Sequence, residues 1–277
     1  MTEQCKEGII AFSFNQRRIP QAMPLKIHQI PVKTDNYIYI LHCERSHYTA
    51  VVDPTFAEPV ASYIESQNWS LDAILNTHHH HDHIGGNLEL MQRFDCVVYG
   101  SAKDAARIPG ITHHLHEGDA IDVGDYKAQV MEVFGHTIGH IAFHFNKEKA
   151  LFCGDTLFSI GCGRLFEGEP ATMWASLNKL RALEADTRVY CAHEYTLHNS
   201  NFALSQDPQN QDLIKYAQRV ASLRHEGRPT IPTTIGTEIK CNPFLRADQG
   251  DLQKALKMQD SDPVEVFAEL RRRRNDY

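Results

Sequence analysis

A short apolar run, Leu71-Asp72-Ala73-Ile74-Leu75-Asn76-Thr77, leads directly into His78-His79-His80-His81-Asp82-His83, and Gly85-Gly86 closes the segment. The first part reads as a buried strand, so the fold has to end a core strand where several imidazoles meet. His78 and His80 are two positions apart. In an extended or turning backbone they project to the same side and can share one ion. Asp82 and His83 lie just beyond, where a turn can aim them at a neighbouring position. Neutral imidazoles with a carboxylate suit zinc, iron or manganese. An isolated HxH would be read as a solvated loop, but further candidates recur at the ends of later strands.

Those candidates are His136, after the strand expected at Lys127–Phe134; Asp155, after Ala150–Cys153; and His193, after Val189–Cys191. Each sits beside Gly or Ala, where the chain leaves room for an ion. With His78, His80, Asp82 and His83 they make seven donors. One tetrahedral ion uses three or four protein ligands, so seven imply two metals sharing a carboxylate, and Asp155 is the natural bridge.

The rest of the chain sets the frame. Residues 1–24 show no clear period and are taken as an extension. From Leu25 onward β-rich runs dominate (LKIHQIPV, NYIYILHC, TAVVD), with helices expected near Ala57–Gln67 and Pro170–Leu183. The strands are many and short, without regular βαβ alternation, which points to an α/β layered domain on mixed sheets over 25–198. Beyond about Asn199 the strand signal disappears. Helical patterning at Gln211–His225, Asp251–Met258 and Pro263–Arg274 marks a smaller helical domain, 199–277, and Pro229, Pro232 and Gly236 mark a linker between the first two of these stretches. Arg271–Arg274 is read as a solvated cationic helix end that suits the dipole.

Composition removes several classes. The net charge of −7 disfavours a general nucleic-acid or membrane-surface binder, whose partners are polyanions. Seven widely spaced cysteines without a CxxC pair disfavour a disulfide framework or zinc ribbon. No apolar run nears the roughly 20 residues that span a bilayer, and the first residues do not read as a secretory signal. A cytoplasmic, soluble protein is expected.

Taken together, THxHxDH, GHTxGH, GDT and the histidine of His193-Glu194-Tyr195-Thr196 resemble the metallo-β-lactamase superfamily, and within it the glyoxalase II (hydroxyacylglutathione hydrolase) family. The closer likeness lies in Asp35-Asn36-Tyr37, Gly161-Cys162-Gly163-Arg164-Leu165-Phe166-Glu167-Gly168, HEYT and Asn242-Pro243-Phe244-Leu245-Arg246. It covers about residue 25 to the C-terminus. The resemblance implies a four-layer αββα sandwich followed by the helical domain. It places one metal on His78, His80 and His136, the other on Asp82, His83 and His193, with Asp155 bridging. Zinc is the expected metal, iron and manganese being compatible. It assigns Arg164, Tyr195 and Arg246 to the glutathione moiety and Asp53 to supporting the ligands. The implied reaction is metal-assisted hydrolysis of S-(2-hydroxyacyl)glutathione, with S-D-lactoylglutathione as substrate and Asp82 and Asp155 at the catalytic centre. A monomer acting on this small molecule is expected, with no nucleic-acid or membrane partner.

The departures are local. Many family members have Lys and Tyr where this chain has Arg164 and Phe166, so Phe166 is expected to pack rather than hydrogen-bond. His79 and His81 alternate with the ligands and should point away; His140 should orient its loop. His113, His114 and His116 read as an exposed loop, and Cys153, Cys162 and Cys191 as buried thiols. The rival readings are a lactonase or RNA phosphodiesterase of the same fold, a mononuclear iron persulfide dioxygenase, and a metal-storage or redox-sensing protein.

Overall fold

The computed structural model describes residues 24–277; residues 1–23, which carry nearly all of the expected extension and Cys5, lie outside the described residues. The first sheet holds six strands in sequence order: β1 (Lys26–Val32), β2 (Asn36–His42), β3 (Thr49–Val52), β4 (Ala73–Leu75), β5 (Val97–Ser101) and β6 (His113–Leu115). β1 to β3 pair antiparallel and β3 to β6 parallel. The reason NYIYILHC alternates only partly is that both faces of β2 are buried. Ile38 and Ile40 face an outer cluster under α1 (Ala57–Ser66) and α3 (Asn87–Phe94), whereas Tyr37, Tyr39 and Leu41 face the inner core. Between β4 and α3 the histidine run turns through a single helical turn, α2 (His81–Ile84).

The second sheet has the order β14-β13-β10-β9-β8-β7, from β7 (Ala120–Val123), β8 (Tyr126–Glu132), β9 (Ile141–Phe145), β10 (Ala150–Gly154), β13 (Arg188–Cys191) and β14 (Thr233–Thr234). A two-residue-per-strand hairpin, β11 (Leu157–Phe158) and β12 (Gly161–Cys162), follows β10. Tyr39 joins the sheets: its ring meets Phe152 and Tyr190 edge-on at 5.5 and 5.4 Å, and its hydroxyl donates to Cys191 O. α4 (Pro170–Arg181) covers the second sheet through Met173, Trp174, Leu177 and Leu180, completing the αββα layering.

The C-terminal part consists of α5 (Thr196–Gln206), α6 (Gln211–His225), α7 (Ile235–Cys241), α8 (Gly250–Leu256) and α9 (Pro263–Asp276). It is helical as expected but is not free of strand, because β14 pairs with β13. α7 occupies what reads in sequence as a linker around Pro232 and Gly236. The region packs on the sandwich through Trp174 and Phe267, whose rings lie 6.2 Å apart. His113 and His114 belong to an edge strand, not a loop. Among the described residues no helix is long and apolar enough to cross a membrane.

This topology gathers the strand ends that matter. β4 stops before His78, β8 before His136, β10 before Asp155 and β13 before His193. The edge is stitched across the sheets: Tyr37 N–H donates to Ala192 O and Glu194 N–H to Asp35 O.

Candidate metal centre

Seven donors converge at that edge in two groups. The ligand atoms of His78, His80 and His136 lie within 4.8 Å of one another, as do those of Asp82, His83 and His193. His80 Nδ1 sits 3.0 Å from both His78 Nε2 and His136 Nε2. Asp155 stands between the groups. Its Oδ1 lies 3.6 Å from His83 Nε2 and 3.4 Å from His193 Nε2, while Oδ2 lies 3.5 Å from His136 Nε2. Asp82 Oδ2 is 3.6 Å from both His83 Nε2 and His193 Nε2.

The buried rings are presented by partners on their far sides. His83 Nδ1 lies 3.1 Å from Asp53 Oδ2, His193 Nδ1 2.9 Å from Asp35 Oδ1, and His136 Nδ1 2.8 Å from the Arg164 carbonyl. Each acceptor holds a proton on Nδ1, so that Nε2 is the nitrogen able to offer a lone pair to a metal once its own proton leaves. Asp53 does more: its carboxylate also accepts from Thr77 N–H at 2.8 Å and Thr77 Oγ1–H at 2.6 Å, anchoring the start of the histidine run. Asn36 Nδ2 donates to Asp82 Oδ2 at 3.0 Å, and Thr55 Oγ1 to Asp82 O.

Two atoms test whether a cation fits. His83 Nε2 and Asp155 Oδ1 are buried and have no hydrogen-bond partner. A buried polar atom left so costs about 1–3 kcal/mol, and a divalent ion between them would satisfy both. Protonation agrees with this. Burial, reinforced by neighbouring rings, keeps His78 well below the usual imidazole value and lowers His80 to about 4. Both rings are neutral at pH 7. Around Asp155 the balance reverses. Burial opposes the charge on His193, but the Asp155 carboxylate outweighs it and raises that ring to about 9. Burial likewise opposes ionisation of Asp155, yet the His193 and His83 rings hold its carboxyl far below the ordinary range. A cation entering here would displace protons already held by an acidic cage. The His/Asp cluster can therefore bind divalent metal ions.

His79 points away as expected, its Nδ1 3.0 Å from Asp104 Oδ2. His140, fully buried, stacks on His78 at 4.5 Å and accepts Asp155 N–H on Nε2 at 3.1 Å, which orients the loop. Cys153, Cys162 and Cys191 are buried thiols.

Beside the histidines opens a cavity of about 260 Å³. Its walls include Arg164, Phe166 and Tyr195, together with Phe158, Cys162, Asn199 and Phe244. Tyr195 stacks flat on His193 at 4.7 Å, and the 60% exposed Phe166 meets His80 and His136 edge-on at 5.5 and 5.2 Å. Phe166 thus packs on the ligand rings, as its lack of a hydroxyl requires. Arg246 does not line the cavity: its guanidinium is buried between Asp207 and Asp251 and is committed to them. The expectation of a glutathione contact there is corrected. Besides Arg164, the cations in the wall are Arg271 and Arg274, which read in sequence as a solvated helix end. Arg271 is only 7% exposed and donates to Cys162 O at 2.9 Å; Arg274 donates to Asn199 Oδ1 at 3.2 Å. Their i, i+3 spacing, which puts both on one helix face, was the available signal.

Comparison with known proteins follows the same division. A model of the metallo-beta-lactamase superfamily matches residues 35–193, and a model described as the hydroxyacylglutathione hydrolase C-terminus matches residues 194–277. The chain is 53% identical over 253 residues to the hydroxyacylglutathione hydrolase of Rhodospirillum rubrum, covering 91% of this chain and 99% of the relative. It is 49% identical over 253 residues to that of Methylococcus capsulatus, again covering 91% and 99%. Among solved structures, the B3 metallo-beta-lactamase BLEG-1 superposes with a TM-score of 0.60 at 25% identity, covering 79% of this chain and 99% of that one. ETHE1 from Myxococcus xanthus gives 0.63 at 22% identity, covering 90% and 98%, a likeness of fold.

Proposed function

The chain belongs to the hydroxyacylglutathione hydrolase family of the metallo-β-lactamase superfamily, and on that premise we propose that it hydrolyses S-(2-hydroxyacyl)glutathione, with S-D-lactoylglutathione as substrate, to glutathione and a 2-hydroxy acid. The observation that carries the reading at the site is the Asp155 carboxylate, with one oxygen toward His83 and His193 and the other toward His136. In this assignment His78, His80 and His136 hold one ion, Asp82, His83 and His193 the other, and Asp155 is shared. When bound, such ions polarise the acyl carbonyl and bring the pKa of a water from 15.7 to near 7. Zinc is the proposed metal; imidazole and carboxylate also accept iron or manganese.

The chain's own residues supply the rest. Asp35 and Asp53 fix the tautomers of His193 and His83, and Asn36 fixes the Asp82 carboxylate. Arg164, Arg271 and Arg274 offer guanidinium groups to the carboxylates of glutathione. The rings of Phe158, Tyr195 and Phe244 shed water from the thioester arm. The leaving thiolate has a conjugate acid near pKa 8.5, so the site needs no strong general acid. The test is thioester hydrolysis by protein of measured metal content. Turnover of S-D-lactoylglutathione that disappears in Asp155→Ala supports the reading; an active Asp155→Ala protein refutes it.

A further inference from the structure

Behind the cavity wall lies a carboxylate that the chemistry above does not use. Glu238, on α7, is fully buried at 0% exposure, and no described Lys, Arg or His forms an ion pair with it. Its oxygens are held by donors from three elements. Thr233 Oγ1 donates to Oε1 at 2.7 Å, and Ile160 N–H and Asn242 Nδ2 donate to Oε2 at 2.8 and 2.9 Å. Asn242 Nδ2 also donates to Gly161 O at 2.9 Å. Glu238 and Asn242 together therefore grip the turn of the β11–β12 hairpin.

That turn is strained. Ile160 has φ of 57°, a region that a β-branched residue enters only when its surroundings over-determine it. Its side chain is fully buried with Ala203, Leu213 and Cys241 of the helical region, and its N–H is the one Glu238 accepts. The hairpin has only two paired positions, Leu157 with Cys162 and Phe158 with Gly161, so little within it resists a change of shape. Its other face forms cavity wall: Phe158 meets His193 and Tyr195 edge-on at 5.8 and 5.3 Å.

We infer that Glu238 is a positioning residue for the cavity. From behind the wall it holds the strained Leu157–Cys162 hairpin in the arrangement that sets Phe158 beside His193 and Tyr195. The helical region thereby shapes the thioester pocket through a carboxylate that never touches substrate. The inference rests on the thioester reading above for its kinetic consequences but not for its structural one.

The test uses metal-loaded protein of matched metal content and three variants. In Glu238→Gln the side-chain oxygen can face Ile160 and Asn242 while its NH₂ donates to Thr233 Oγ1, so every contact is kept. Glu238→Ala leaves the buried Ile160 N–H without its acceptor and Asn242 Nδ2 with backbone carbonyls only; Glu238→Asp retains the charge but is too short to grip both. Amide hydrogen exchange over residues 157–162 should accelerate by about tenfold or more in the Ala variant, less in Asp and not in Gln, with the strands of both sheets unchanged. KM for the thioester, and Kd for a non-hydrolysable glutathione thioether, should rise by about tenfold in Ala with kcat within about threefold, and stay within about twofold in Gln. Unaltered exchange in the hairpin, or unaltered KM beside a lowered Tm, would overturn the inference. If the Ala variant does not fold, an Asp variant equal to the parent in both readouts overturns it. A parent chain that binds no glutathione conjugate would sink the thioester reading instead, and the exchange measurement would still decide the clamp.

Discussion

Replacing Asp53 by Asn changes one oxygen to an NH₂ group and tests how the proposed metal centre is held. Asp53 now accepts three hydrogen bonds, from Thr77 N–H, Thr77 Oγ1–H and His83 Nδ1–H. Asn can keep the first through its remaining oxygen. The new NH₂ then points at His83 Nδ1, which can accept only by giving up its proton. The ring moves to the other tautomer, and its proton arrives on Nε2, the atom that faces Asp82 and Asp155 at 3.6 Å. A protonated Nε2 has no lone pair for a metal. Loss of such an outer partner typically costs about 10–100-fold in metal affinity, or about 1.4–2.7 kcal/mol. The weakening should fall on the ion assigned to Asp82, His83 and His193. The other group is affected less, because His136 is held by the Arg164 carbonyl, which the substitution leaves in place. Chelator competition on the parent and Asp53→Asn proteins resolves the two affinities. Equal affinities for both ions in the two proteins would refute the tautomer argument.

Further predictions follow from other sites. Arg246→Ala should leave KM nearly unchanged but lower stability by about 3–5 kcal/mol in denaturant melts, since it strands the buried Asp207 carboxylate. Arg274→Ala should raise KM by about tenfold with kcat within about twofold, and Arg271→Ala should do the same while also losing stability through its bond to Cys162 O. Burial raises the Glu238 carboxyl from 4.5 to about 7, so the native state binds more protons than the unfolded chain between those values. The stability this gives is complete below pH 4.5 and lost as pH rises through 7. Glu238→Gln cannot ionise; from pH 4.5 to 8 its stability relative to the parent should therefore grow by up to about 3 kcal/mol, read from melts at each pH.

The sequence displayed the site better than its surroundings. The clustering of the seven donors was legible because they follow short apolar runs that read as buried strands, and strand ends are where a sheet edge collects side chains. The two-sided burial of β2 blurred its period, and the αββα order came from family likeness, since alternation says nothing of how two sheets stack. That Arg271 lines the cavity and Arg246 does not has a physical reason. A motif such as Asn242-Pro243-Phe244-Leu245-Arg246 shows that an arginine is present but not that Asp207 and Asp251 neutralise it. A run of four arginines at a helix end hides which face meets a cavity. Asp35 and Asn36 were visible as part of a motif, yet the grip of Asp35 on His193 spans 158 residues and that of Asn36 on Asp82 spans 46, and both depend on the two sheets meeting at one edge. α7 and its Glu238 were obscured by Pro229, Pro232 and Gly236, which read as linker.

As proposed, the chain is a thioester hydrolase whose site is complete only when both donor groups carry a metal. The most direct test is the rate of S-D-lactoylglutathione hydrolysis measured while metal-free protein is titrated with zinc. No turnover is expected without metal, and the rate should climb until two equivalents per chain are bound. Full activity in the metal-free protein, or a maximum already reached at one equivalent, would contradict it.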